Sequence, residues 1–182
     1  MRDTMSETET KEQGKKRKTS LLMILMIIIA AVLLVTFFLA PIIIVPSVPP
    51  RMICSTNLSR LGKAMLVYGG DNDDEFPTAD KWCDLLLQYV DTEEYFVCPS
   101  GGEGRCHYAI NANLEPYGPP GIVLLFETKG GWNQFGGPEI LTFENHKGEG
   151  CNILFNDGHV NFVTPEELNE LKWKVEKGES GK

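Results

Sequence analysis

Residues 21–50 read LLMILMIIIAAVLLVTFFLAPIIIVPSVPP, an apolar run that ends in a series of prolines. Thr36 is the only polar side chain in its first 20 residues, and the run carries no charge. A helix of that length rises about 30 Å, the hydrocarbon thickness of a bilayer, and it satisfies its own backbone hydrogen bonds where lipid cannot. The stretch therefore predicts a transmembrane helix over residues 21–45 and a proline-rich stalk at residues 46–51.

Basic residues flank this run on its N-terminal side. Residues 1–20 contain six Lys/Arg, four of them consecutive at residues 15–18, whereas Arg51 is the nearest basic residue on the other side. Because basic flanks stay in the cytoplasm, residues 1–20 are predicted to be a cytoplasmic basic tail, and the rest to lie in the periplasm, outside a bacterial inner membrane. A cleaved secretory signal is the alternative. Its apolar core is normally shorter, and it places the same domain outside the cytoplasm.

The chain beyond the tail is acidic and has a globular composition. The whole sequence carries 17 Lys+Arg and 25 Asp+Glu; without the tail's six basic and four acidic residues, 11 basic and 21 acidic remain. This surface lacks the basic footprint that nucleic-acid binding needs, and a hydrophobic content of 42% excludes general disorder. The length suits one modest domain, which we place at residues 52–176, before a polar tail at 177–182.

Three segments of this domain show helical signals. Residues 52–68 repeat apolar side chains at steps of four and three, which is typical of one buried helix face. A short second helix is predicted after Pro77, with Thr78 as its N-cap, and a last helix after Thr164, where Glu167 completes a capping box. The buried face of the first helix consists of Cys54, Leu58, Leu61, Met65 and Tyr68.

Between the second and last helices, short apolar segments bounded by turn residues predict β-strands. Asn156-Asp157-Gly158 is a hairpin signal, since Gly there adopts a positive φ without strain. An amphipathic helix followed by several strands predicts an α+β fold, with the helix packed on a small antiparallel β-sheet. The predicted strands are His107–Ile110, Ile122–Phe126, Ile140–Phe143, Ile153–Phe155 and Val160–Val163.

All five cysteines follow the apolar run. Cys98 and Cys106 enclose the glycine-rich segment PSGGEGR, so a disulfide between them is a candidate in an oxidising compartment. Because five is an odd number, at least one thiol is left without a partner in the chain. No CxxC pair occurs, which argues against a zinc ribbon or a thioredoxin-type site.

Two of the three histidines, His146 and His159, lie near the last predicted strand pair. Metal binding or general-base catalysis by His146, Asp157 and His159, with His107, is one interpretation. A structural interpretation is favoured, because Asp157 and Gly158 suit a turn and strand alternation points His159 to solvent. His146 then ties a loop to the hairpin through a hydrogen bond.

Two aromatic side chains mark a glycine-rich loop at residues 130–137. Trp132 and Phe135 form an exposed binding surface in one interpretation, because aromatic residues dominate interface hot spots. In the other they pack onto the sheet, and the sequence does not separate the two.

Several segments resemble pseudopilin-like, prepilin-type proteins. The most specific is HKGEGCNILFNDGHV at residues 146–160, which resembles the H-X9-DG C-terminal motif of prepilin-type proteins in planctomycetes and Verrucomicrobia, related to the major pseudopilin of type II secretion. The resemblance covers about residues 52–163 and implies a membrane helix followed by a small antiparallel sheet outside the inner membrane. Shorter matches are CSTNLSRLG (54–62), DNDDEFP (71–77), WCDLL (82–86), CPS (98–100) and YAIN (108–111).

The resemblance also bears on an acidic segment. Asp71, Asp73, Asp74 and Glu75 supply the hard oxygen ligands that calcium prefers, and pseudopilins of the secretion type bind calcium. The segment lacks the glycine of an EF-hand loop, so a solvated acidic loop is the favoured alternative.

Two features depart from the family pattern. Ten residues rather than nine separate His146 from Asp157. The prepilin cleavage signal is missing: the family's peptidase cuts after a Gly that precedes Phe-Thr-Leu-Ile-Glu, whereas KTSLLM enters the membrane here and no Glu lies in the apolar run. The proline-rich stalk also interrupts the continuous helix that pilins pack into a fibre. We expect a permanently anchored derivative that does not polymerise.

The sequence therefore predicts a membrane-anchored, non-catalytic accessory of a type II secretion or type IV pilus-like system. Its expected partners are the lipid bilayer and pseudopilins or other secretion proteins, and no cofactor is expected apart from calcium. No Gly-x-Ser-x-Gly, Walker or His-Glu-x-x-His motif occurs. The alternatives are a stand-alone module that binds an envelope ligand, and a membrane-tethered, metal-dependent hydrolase that uses His146 and Asp157.

Overall fold

The computed structural model describes the backbone of residues 3–43 and 47–175, with side chains at residues 17–38 and 47–175. The chain forms two compact units, and the boundary along the sequence falls between Ser47 and Val48.

The N-terminal unit is a single helix, α1 (Asp3–Ile43). Its segment Arg17–Phe38 has a mean hydropathy of 3.2, and all of its residues are exposed. By length and composition this segment could cross a membrane once or serve as a signal anchor. The helix also extends through most of the predicted basic tail and continues two residues beyond Pro41.

The second unit begins with helix α2 (Pro50–Asp71), longer than the predicted 52–68. Pro50 and Arg51, predicted to belong to the stalk, form its first turn. Proline is tolerated there because the first backbone N–H groups of a helix have no partner inside the helix. Four of the five residues predicted to form the buried face are fully buried or nearly so, and Tyr68 is half-buried.

Five strands form one sheet in the order β3-β1-β2-β4-β5. Neighbours are antiparallel except β1 and β3, which are parallel, so the sheet is mixed and not purely antiparallel as predicted. The parallel pair arises because the chain leaves β2 through a short loop and returns on the far side of β1. The strands are β1 (Cys106–Asn111), β2 (Val123–Gly131), β3 (Phe135–Gly136), β4 (Cys151–Phe155) and β5 (Val160–Val163).

Two predicted strand or helix segments are wrong. The segment Ile140–Phe143 is not a strand: a 3-10 turn at Pro138–Ile140 precedes a single bridge from Leu141 to Thr128. The last helix is only a 3-10 turn, Pro165–Glu170, although its predicted capping box forms. After this turn the chain becomes extended at Leu171. Lys172 then forms a parallel bridge with Ile122, the residue before β2.

The second predicted helix forms as α3 (Trp82–Leu86), with Lys81 and not Thr78 at its N-cap. Trp82 and Leu86 are buried against the domain core.

Apolar side chains pack on both faces of the sheet. On one face α2 supplies Leu58, Leu61 and Met65, which pack with Leu125 and Leu154 of the sheet. The opposite face carries a second cluster that the loop at residues 140–143 and the chain around Trp173 partly cover. Because the sheet is covered on both sides, polar side chains that it carries can be fully buried.

Candidate metal centre

Four potential metal ligands meet in the interior of the second unit. They are the sulfur atoms of Cys54 and Cys98, a carboxylate oxygen of Glu127 and a ring nitrogen of His146, and these atoms all lie within 4.8 Å of one another. All four residues are buried, and His146 is the most exposed at 8%. Within the described residues, this is the one such group of three or more Cys, His, Asp or Glu ligands.

Each ligand comes from a different part of the fold. Cys54 lies in the first turns of α2, on the face that packs against the sheet. Cys98 follows the 3-10 turn Glu93–Phe96, and Glu127 lies in the middle of β2. His146 ends the 3-10 turn that precedes β4.

The chain enters β4 through a sharp turn beside His146. Lys147 and Gly148 both have positive φ values, 58° and 82°, which glycine adopts without strain and lysine adopts rarely. This turn fixes His146 between the sheet and the start of α2.

The contact distances show a compact group. The two sulfur atoms lie 2.7 Å apart, and the sulfur of Cys98 lies 4.0 Å from His146 Nε2. The same nitrogen hydrogen bonds to Glu127 Oε1 at 3.0 Å and lies 2.9 Å from Oε2.

Asn152 supports the group from β4. Its Nδ2 donates hydrogen bonds to Glu127 Oε1 at 2.8 Å and to the backbone carbonyl of Arg51 at 3.1 Å. Glu127 Oε2 is buried and makes no hydrogen bond, and the nearby charged group is the His146 ring, whose Nε2 lies 2.9 Å away.

The electrostatics favour charged forms of two members of the group. A hydrogen bond from Cys54, supported by His146, lowers the pKa of Cys98 to about 4, and the same sulfur–sulfur contact together with burial raises the pKa of Cys54. Burial alone would lower the pKa of His146, but its contacts with Cys98 and Glu127 outweigh burial and raise that pKa to about 9. Burial raises the pKa of Glu127.

Two sulfur atoms, one imidazole and one carboxylate are ligands typical of zinc and similar borderline-soft cations. Calcium prefers six to eight oxygen ligands, so this group is chemically different from the calcium site considered in the sequence analysis. A cleft of about 470 Å³, lined by Arg51, Ser100 and His146 among others, lies beside the group and gives it a route to solvent.

The acidic segment predicted for calcium lies at the end of α2 and in the turn after it. Asp71, Asp73, Asp74 and Glu75 are all exposed, and in the described part of the chain they do not converge as the buried group does. A hydrogen bond from the Tyr117 hydroxyl to Asp74 is the contact found there. Calcium binding at this segment stays a prediction.

The histidine motif is divided between the two ends of β4. His146 precedes the strand and contacts Glu127 of β2, whereas Asp157 and His159 hydrogen bond to each other, half-exposed, in the turn after it. The side-chain hydrogen bond of His146 therefore goes to β2 and not to the turn at Asp157. Its ring also lies beside that of Phe162 in β5 of the hairpin, with 5.7 Å between the ring centroids. Gly158 has a φ of 85°, as its predicted turn position requires.

Two other sequence-predicted residues have structural contacts. His107 is fully buried, and its Nδ1 accepts a hydrogen bond from the backbone N–H of Cys98. Trp132 packs against Phe96, and its Nε1 donates a hydrogen bond to Asp84. Phe135 remains 51% exposed, on the edge strand. The aromatic loop is therefore partly packed and partly exposed.

The cysteine contacts differ from the predicted pairing. Cys98 contacts Cys54, whereas Cys106 lies next to Cys83 and shares a thiol hydrogen bond with it. All five cysteines are buried free thiols, and Cys151 lies in the cluster on the opposite face of the sheet. No contact joins Cys98 to the sulfur of Cys106 among the described hydrogen bonds.

Sequence reasoning missed Glu127 and Asn152. Glu127 follows the apolar segment IVLLF directly, and a single charged residue in a buried strand is a signal of a paired or metal-bound group. Comparison with family models, with curated proteins and with solved structures finds no match to this chain.

Proposed function

We propose that the protein is a single-pass, membrane-anchored accessory of a type II secretion or type IV pilus-like system, with a non-catalytic outer domain. The observation that carries the proposal is the order of the two units: an apolar helix, a proline-containing break, and then a helix packed along a small sheet. This order agrees with what the pseudopilin resemblance implies.

The break after α1 supports an anchored role over a polymerising one. Residues 47–49 are not helical, and α2 begins anew at Pro50. A fibre subunit needs one continuous helix to pack against its neighbours. The missing cleavage signal and the missing Glu in the apolar run point the same way.

The outer side of α2 offers an apolar contact surface for a partner. Met52, Leu66 and Val67 are each more than half exposed on this helix. Leu66 and Val67 are adjacent near the end of α2, whereas Met52 lies about four turns away near its start. The proposed contact therefore centres on Leu66 and Val67. In this proposal a pilin-like partner covers them.

A crosslinked pull-down from native membranes tests the proposal. Tagged full-length protein should capture pseudopilins or other secretion-system subunits, identified by mass spectrometry. Leu66→Glu should reduce this capture at least several-fold, because it places a charge in the apolar contact. Glu166→Gln, an exposed polar change outside α2, should leave it unchanged.

Two results would count against the proposal. Capture of no secretion-system subunit, at an expression level where a known pilin pair is recovered, would leave an envelope ligand-binding module as the better assignment. Equal capture by wild type and Leu66→Glu would show that α2 is not the contact surface.

A further inference from the structure

We propose that Cys54, Cys98, Glu127 and His146 form a closed, structural zinc site that fastens the start of α2 to the sheet. The four ligands come from α2, the loop before β1, strand β2 and the turn before β4. The site is independent of the secretion assignment, because it rests on contacts inside the second unit.

The number and type of ligands match structural zinc. Structural sites are tetrahedral, with four protein ligands of sulfur and nitrogen, and sometimes oxygen. With zinc bonds of about 2.0–2.3 Å, the ligand atoms of a tetrahedral site lie about 3.3–3.8 Å apart. The separations in the group run from 2.7 Å between the two sulfur atoms to 4.0 Å between Cys98 Sγ and His146 Nε2, and all the ligand atoms lie within 4.8 Å of one another. The two sulfur atoms would therefore move apart by about 1 Å when the ion binds.

The burial of the four ligands favours a bound ion. All four side chains are buried together, and polar groups that are buried away from water are normally paired or bound to a metal. A cation held by the two sulfur atoms, the imidazole and the carboxylate would give all four a common partner.

The surrounding residues provide the support that metal ligands usually have. Asn152 holds Glu127 through Oε1, and Oε2 makes no hydrogen bond. Asn152 also holds the carbonyl of Arg51 in the first turn of α2. Such outer partners orient the ligands and typically change metal affinity 10- to 100-fold when they are removed.

A disulfide between Cys54 and Cys98 is the competing explanation of the sulfur contact. It accounts for two of the four members but not for the contact of the Cys98 sulfur with the buried His146 ring. The zinc site accounts for all four.

Metal titration of the full-length chain in detergent tests the site. The protein is kept reduced, stripped with a chelator, and titrated first with Co²⁺ and then with Zn²⁺. We expect one equivalent of Co²⁺ to produce a thiolate-to-cobalt charge-transfer band and intense tetrahedral ligand-field bands, and one equivalent of Zn²⁺ to abolish them.

Variants separate the site from general effects on folding. Cys98→Ser should lose the contribution of the Cys98 thiolate to the charge-transfer band and should no longer bind one equivalent of metal. Asn152→Ala should weaken Zn²⁺ binding 10- to 100-fold. Cys151→Ala is the matched control, because Cys151 is equally buried but lies on the other face of the sheet. It should bind like the wild type. Circular dichroism establishes that each variant is folded.

Three results would overturn the proposal. One is a Cys54–Cys98 disulfide in protein whose thiols are alkylated at cell lysis. The second is a wild-type titration without a thiolate–cobalt band. The third is an equal loss of Zn²⁺ affinity in Cys151→Ala and in Asn152→Ala.

Discussion

A single side chain in the loop between β2 and β3 holds the start of α3. Asn133 Oδ1 accepts hydrogen bonds from the backbone N–H of Cys83 at 2.8 Å and of Asp84 at 3.3 Å, while its Nδ2 donates to the Asp84 carboxylate at 2.6 Å. Its backbone is left-handed, with φ 52°, a conformation that asparagine tolerates better than most residues. The predicted cap, Thr78, is therefore replaced by a residue far along the chain.

Asn133→Ala should lower the free energy of unfolding by about 1–3 kcal/mol, because it removes the helix cap and leaves α3 donors unpaired. Asn133→Gly loses the same hydrogen bonds but relieves the left-handed backbone, so it should be more stable than the alanine variant by about 1 kcal/mol. Urea unfolding of the full chain in detergent, followed by tryptophan fluorescence, measures both. Two variants as stable as the wild type would refute the capping role.

At the scale of elements, the spacing between α2 and the sheet depends on a glycine. A Cβ on Gly62 would lie 2.8 Å from Leu154 Cδ2 of β4, whereas a Cβ on Gly70 of the same helix would meet nothing within 4 Å. Leu154 is fully buried, so its side chain has little space to move away. The helix packs closely on the sheet because position 62 has no side chain.

Gly62→Ala and Gly70→Ala should therefore change stability in opposite directions. Both gain helix propensity, by about 0.5–1 kcal/mol. At position 62 overpacking of about 1–3 kcal/mol outweighs this gain, so Gly62→Ala is expected to be the less stable by at least about 1 kcal/mol. Thermal unfolding of the two variants side by side gives the comparison. Equal stabilisation by both would mean that the helix moves away from the sheet at no cost.

Local patterns were sufficient to predict some elements and not others. The helical repeat of residues 52–68 predicted α2, because a buried helix face leaves a periodic signal. The apolar segments on either side of the Asn156-Asp157-Gly158 turn predicted β4 and β5. Strand β3 has two residues and no such signal. The segment at 140–143 is apolar because it covers the sheet face, and the sequence analysis interpreted that apolar character as a strand.

The candidate metal ligands could not be found from spacing. Cys54, Cys98, Glu127 and His146 lie far apart in the sequence and meet only through the packing of α2 and the turn before β4. Spacing in the sequence favoured Cys106 as the partner of Cys98, whereas the folded protein brings Cys98 to Cys54. Glu127 was the local clue, a lone charge after an apolar strand.

At the scale of the whole molecule, the two units differ in what their surfaces expose. The large apolar side chains between Leu21 and Phe38 are about half or more exposed, and a bilayer would bury them. In the second unit, described residues of the unit itself pack on both faces of the sheet. The second unit therefore has a core of its own.

Cysteine labelling tests the orientation. Glu166→Cys, at an exposed position, should react in spheroplasts with a membrane-impermeant maleimide, and Thr4→Cys should react only after permeabilisation. The five native thiols are buried and should add little background. Labelling of Thr4→Cys alone would reverse the orientation, and a mature mass that lacks the tail would indicate a cleaved signal.

The packing of α2 against β4 has a consequence for synthesis on the ribosome. Leu61 and Met65 emerge early, but their partner Leu154 follows them by about 90 residues, which takes roughly 5–20 s at typical translation rates. During that interval the apolar face of α2 has no sheet to cover it. The newly made chain is therefore prone to aggregate during this period. A holding chaperone or the membrane surface itself would shield the apolar face until β4 has been synthesised.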